Sequence, residues 1–195
     1  MLDLNLGSAA RPFKRILCLG AHSDDIEIGC GGAVLALAER YPDLAINWIV
    51  FSGNQLRQAE ALASARAFLG DAGARQIALY EFRDGYFPFE GALVKDRFEQ
   101  LKDLGDPDLV FTHRRDDRHQ DHRLISDLTY NTFRNHVILE YEIPKYDGDL
   151  SAPNVFIPLP DFAYQRKVDL LMQHFATQRS RDWFTPETFL GLMRL

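Results

Sequence analysis

Short apolar runs that end at a glycine or a polar cluster alternate with helical stretches of ten or more residues along most of this 195-residue chain. That alternation leaves few folds open. Residues 15–20 (RILCLG) read as a strand, followed by a loop and a helix over 32–41. Residues 46–51 (INWIVF) read as the second strand, with an Ala- and Leu-rich helix over 56–70 closed by glycine. The cycle repeats with a strand at 76–82, a helix at 93–104, a strand at 108–113, a helix at 122–135 and a fifth strand at 137–143. Strands joined by helices of this length pair in parallel through right-handed crossovers. The expected fold is therefore α/β: a three-layer α/β/α sandwich around a Rossmann-like, mostly parallel sheet. Beyond Pro144 the pattern weakens to a loop (PKYDGDLSAPN), a short strand at 155–159 (VFIPL) and a helix from Asp161 to about Thr177. No linker or repeat divides the chain, so residues 1–195 read as one domain.

A chain of this length buries roughly 70% of the surface its unfolded form exposes, enough for a core without staples. The net charge of -6 argues against nucleic acid or an anionic membrane as partner, and the basic stretch at 113–115 is followed directly by acids. No apolar run approaches the ~20 residues of a membrane span. Residues 1–15 lack the basic start and long apolar stretch of an export signal, and two cysteines cannot make a disulfide framework. A reducing, cytoplasmic setting is the simple expectation.

In open parallel sheets the ligand crevice lies beyond the carboxyl ends of the strands. Two unusual clusters fall at such ends: CLGAHSDDIEIGCGG (18–32) after the first strand and THRRDDRHQDH (112–122) after the fourth. Between them they hold four of the six histidines, His22, His113, His119 and His122. A nucleotide phosphate does not suit the first loop. It lacks the G-x-G-x-x-G spacing, and Asp24, Asp25 and Glu27 stand where a pyrophosphate needs N–H groups and positive potential. Acid with histidine suits a divalent cation instead. His22 and Asp25, three apart, can point the same way, and one or two histidines from the other loop would complete a catalytic zinc site with an open position. Asp24 is then left over as a base. Glu27 reads more simply as a dipole or outer partner, and Asp116 and Asp117 as members of an internally paired charged loop. His113 fits equally a hydrogen bond within the site or a strand-end histidine satisfied by backbone. Gly29, Gly31 and Gly32 read as permitting a sharp turn and close helix packing.

The stretch AHSDDIEIGCGG followed by a helix, the later HQDH, and the Gly53, Arg57, Glu60 spacing in SGNQLRQAEALASARAFLG resemble the signatures of the PIG-L / LmbE family of metal-dependent deacetylases, whose usual motifs are A-H-P-D-D-x-E and H-P-D-H. The resemblance implies a zinc-dependent N-deacetylase acting on an N-acetylated amino sugar or a glycoconjugate carrying one. It implies one metal per chain held by His22, Asp25 and His122, with Fe2+ or another divalent metal accepting the same ligands. Asp24 would be the general base. His119 would stabilise the oxyanion or protonate the leaving amine, Asp121 would orient the His119 ring and hold it charged, and Arg57 would face the substrate. A homo-oligomer is compatible with this. Ser23 and Gln120 stand where the family usually has proline, and the chain stops at FLGLMRL, where relatives often run on past a segment that walls the site. The alternative is a non-catalytic metal- or sugar-binding domain on the same scaffold, for which a free base beside the ligands would have no use.

Overall fold

The computed structural model describes residues 12–70 and 75–194; residues 1–11, most of the stretch read for an export signal, lie outside them. Five strands form one sheet: β1 (Arg15–Gly20), β2 (Ala45–Ser52), β3 (Arg75–Phe82), β4 (Leu109–His113) and β5 (Val137–Tyr141). Every pairing is parallel and the order is β3-β2-β1-β4-β5. The expected α/β sandwich is the observed one, and its sheet is wholly parallel. The helices are α1 (Asp25–Gly29), α2 (Gly31–Arg40), α3 (Gln55–Leu69), α4 (Gly91–Leu101), α5 (Gln120–Thr132), α6 (Asp161–His174) and α7 (Pro186–Arg194).

Alternate residues of the central strand β1 feed two cores, as the two-residue side-chain period of a strand requires. Ile16 and Cys18 pack with Trp48, Phe68, Leu171 and Phe175 on one face, Leu17 and Leu19 with Phe51, Phe87, Phe98 and Ile125 on the other. Covering both faces with helices is what buries an all-parallel sheet. From β1 the winding runs outward one way to β2 and β3, and the other way to β4 and β5. That reversal opens a crevice beyond the carboxyl ends of β1 and β4.

Residues 155–159, expected as a strand, pair with no strand among the described residues. Pro158 and Pro160 lack the N–H a ladder needs, and Val155 and Phe156 are exposed. Two helices were not expected. α1 forms directly after the first motif, and α7 buries Phe189 edge-on against Phe184, with ring centroids 5.0 Å apart.

Candidate metal centre

β1 ends at Gly20, and the chain turns at once into α1, so His22, Asp24 and Asp25 emerge at the mouth of the crevice. β4 ends at His113, and a five-residue loop leads to His119, which stands before α5 as its N-cap. The sheet thus brings the two motifs together. His22 Nδ1 lies 3.1 Å from His122 Nε2 and 3.3 Å from Asp25 Oδ2, while His122 Nε2 and Asp25 Oδ2 are 3.5 Å apart. Ligand bonds of about 2.0–2.2 Å at tetrahedral angles put neighbouring donors about 3.3–3.6 Å apart. Two sides of the triangle fall in that range, and the third, 3.1 Å between His22 Nδ1 and His122 Nε2, lies just below it.

Outer contacts aim the lone pairs inward. His22 Nε2 lies 3.3 Å from Asp121 Oδ2 and 3.2 Å from Asp84 Oδ1, which keeps its proton on that side and frees Nδ1. His122 Nδ1 donates to Asp117 Oδ2 at 3.0 Å, which frees Nε2. His113 stacks on His122 with centroids 3.9 Å apart; its Nε2 accepts the Ala21 N–H at 2.9 Å and lies 3.1 Å from Asp25 Oδ2. Acceptors thus converge on a buried point, a donor set that fits a cation.

The electrostatics favour the metal-binding form at two of the three donors. Burial pulls the His22 imidazole down, yet Asp25 and the hydrogen bonds to Asp121, Asp25 and Asp84 hold its pKa well above the ordinary value, so a metal would bind there by displacing the Nδ1 proton. Burial and His113 push His122 down to about 3, the neutral form that binds metals. Burial would raise Asp25, but the surrounding His122, His113 and His22 hold it well below the usual carboxylate range.

Asp24 lies beside this triangle and outside it. Its Oδ1 accepts from Arg57 at 2.7 Å, and burial raises its pKa despite that ion pair. Asn54 caps α3 by accepting from Arg57 N at 3.0 Å, which sets Arg57 in the first turn; its guanidinium also reaches Thr177 Oγ1 at 3.1 Å. Arg57, expected to face the substrate, lines a cavity of about 580 Å3 with His22, Asn54, Glu81, Arg83 and Asp84, but spends its guanidinium on Asp24.

The expected part of Asp121 needs correction. Its carboxylate accepts from Gly85 N at 2.6 Å and Phe87 N at 3.1 Å, pinning the loop after β3, and so does not orient the His119 ring. His119 Nδ1 instead accepts from the Asp121 backbone N–H at 3.3 Å, and burial with the charge of His22 lowers the His119 pKa rather than raising it. His119 is thus held neutral with its proton on Nε2. Asp117, read as one of a charged-loop pair, is buried on His122, whereas Asp116 is exposed. Asp84 was not singled out in the sequence, although it stands just past the end of β3, where the strand-end rule applies.

A family model described as PIG-L, GlcNAc-PI de-N-acetylase, matches residues 17–133, more than half of the chain and both motifs. The chain belongs to the PIG-L family. It is 29% identical over 185 residues to an Escherichia coli (strain K12) protein named uncharacterized deacetylase YaiS, covering 89% of this chain and 97% of that one. Two solved structures share the fold. N,N'-diacetylchitobiose deacetylase from Pyrococcus horikoshii has a TM-score of 0.65 at 21% identity, covering 93% of this chain and 76% of its own. GalB, the 4-carboxy-2-hydroxymuconate hydratase from Pseudomonas putida KT2440, has a TM-score of 0.68 at 17% identity, covering 92% and 84%. In this PIG-L chain the two positions usually held by proline carry working side chains. Ser23 Oγ donates to Ser52 O at 3.3 Å, and the Gln120 amide donates to Gly85 O, each tying one strand-end loop to the next. No described helix is long and apolar enough to cross a membrane.

Proposed function

We propose that this PIG-L protein is a zinc-dependent N-deacetylase that hydrolyses the acetamide of an N-acetylated amino sugar, with His22, Asp25 and His122 holding one metal. The observation that carries the reading is the triangle of donor atoms, 3.1, 3.3 and 3.5 Å on its sides, with a carboxylate next to it that takes no part in it. A divalent cation held there would supply polarisation of the amide carbonyl and a lowered pKa for a nearby water. Asp24, steered through Oδ1 by Arg57, takes a proton from the attacking water on Oδ2, and its raised pKa makes it the better acceptor. The water oxygen bonds to the acetyl carbon. His119, its proton on Nε2, donates to the oxyanion, a contribution of about 2.7–4 kcal/mol where one such donor has been removed. As the C–N bond breaks, the proton held by Asp24 passes to the leaving nitrogen, giving the free amine and acetic acid, which ionises to acetate by releasing the remaining water proton. The cavity beside His22 has a volume in the ordinary range for small ligands, and its lining of Asn54, Glu81, Arg83 and Asp84 suits a hydroxyl-rich ring.

The test is acetate release from a panel of N-acetylated sugars and glycoconjugates by zinc-loaded protein and by Asp24→Asn. Wild type should release acetate from at least one member, and Asp24→Asn should keep its metal and turn over about 10²–10⁴-fold more slowly. Binding without acetate from any member, or an undiminished Asp24→Asn, contradicts the proposal.

A further inference from the structure

Asp117 is 2% exposed and uses both carboxylate oxygens. Oδ1 accepts His119 N at 2.7 Å; Oδ2 is shared between His122 Nδ1 at 3.0 Å and Lys145 Nζ at 3.1 Å. Lys145 comes from a different part of the chain, the loop after β5, outside the residues the family model matches. Its other partners belong to the same loop: Asp149 Oδ1 at 2.9 Å, Asp149 Oδ2 at 2.8 Å and, weakly, Ile143 O at 3.5 Å. Asp149 in turn accepts Arg118 N at 2.8 Å, and the Arg114 guanidinium donates to the Asp149 carbonyl, so the loop is fastened to the second motif at three points.

We infer that Lys145 is a positioning residue for the metal centre: by occupying the second lone pair of Asp117 Oδ2 it fixes the carboxylate that aims His122. The inference rests on the metal reading above. A buried carboxylate that loses one of its donors turns to find another. Because Nδ1 and Nε2 lie on one rigid ring, any swing of Asp117 moves the His122 donor atom with it. Outer partners of metal-bound histidines typically contribute 10–100-fold in affinity, and Lys145 stands one contact further out, at the low end of that range.

A double-mutant cycle on zinc affinity, read by competition with a chromophoric chelator, tests this in the full chain. Lys145→Met should weaken zinc binding about tenfold, while Lys145→Arg should hold it within threefold. In an Asp117→Asn background Lys145→Met should add less than twofold, because the group it acts through is already gone. A purely structural lysine would lower affinity by the same factor in both backgrounds. Thermal melting of the metal-free proteins checks folding; should the Met variant not melt cooperatively, Lys145→Gln is read by the same two comparisons. Wild-type affinity retained by the Lys145 variant, or equal losses in the two backgrounds, overturns the inference alone. A wild-type chain that takes up no zinc overturns the metal reading and this inference with it.

Discussion

Gly29 closes α1, four residues after Asp25, and a Cβ built on it would lie 2.0 Å from Cδ2, 2.5 Å from Cγ and 2.6 Å from Cε2 of Tyr141. Carbon atoms rest about 3.5–4.0 Å apart, so in Gly29→Ala the ring must move by about 1.5 Å or more. Tyr141 is buried, its hydroxyl donates to Leu19 O at 2.6 Å, and it lies 3.3 Å from His113 Nε2, so the ring has no free direction. Overpacking costs about 1–3 kcal/mol. Loss of a buried hydrogen bond costs about 1–3 more. Alanine returns at most about 1 kcal/mol of helix propensity. The net loss is about 3 kcal/mol, a large share of the 5–15 kcal/mol that holds a typical domain. Urea unfolding measures it as a lower midpoint at unchanged slope. Because His113 faces Asp25 and stacks on His122, zinc affinity should fall as well. Gly32→Ala is the control: its Cβ meets the flexible tip of Leu159 at 2.7 Å and should cost less than about 1 kcal/mol. A Gly29→Ala protein as stable as wild type, or less affected than Gly32→Ala, refutes this packing argument.

Three other consequences are open to measurement. Lys167 is buried with its ammonium on Ile28 O at 2.6 Å, and burial lowers its pKa to about 8. The unfolded chain, whose lysines titrate near 10.4, therefore binds more protons between those values, so this group's contribution to stability rises with pH across the window. The stability difference between wild type and Lys167→Met should shift in favour of wild type from pH 8 to about 10; a constant difference contradicts this. Asp121→Asn leaves one acceptor oxygen for Gly85 N and Phe87 N, and should speed amide hydrogen exchange at both positions while the sheet amides stay protected. His119→Ala should keep zinc and lose about 10²–10³-fold in kcat; loss of metal from that variant would place His119 among the ligands.

The layered α/β architecture was legible because each strand–helix alternation is local, and so were the positions of both motifs at strand ends. The strand order was not, since it depends on which distant edges meet. Residues 155–159 misled because Val155, Phe156 and Ile157 have strand composition, while the prolines that forbid a ladder sit at 158 and 160. Within the site, His22 and Asp25 could be paired from their spacing. Nothing in the RRDDR run says that Asp117 turns inward to His122 while Asp116 faces solvent; that is decided by the turn in which Asp117 N bonds to Arg114 O at 3.2 Å and by a lysine 28 residues away. Asp121 was read as the partner of its near neighbour His119. The helix start at Gln120 instead directs its carboxylate across the crevice to the loop after β3.

Metal titration reads the metal dependence of the reaction itself. Protein stripped by a chelator is given zinc in steps, and acetate release from an N-acetylated amino sugar is followed at each step. The stripped protein should release no acetate, release should rise in proportion to zinc up to one equivalent, and a variant lacking Asp25 should show none of that rise. Full activity in the stripped protein, or activity that begins only beyond the first equivalent, would overturn the one-metal reading.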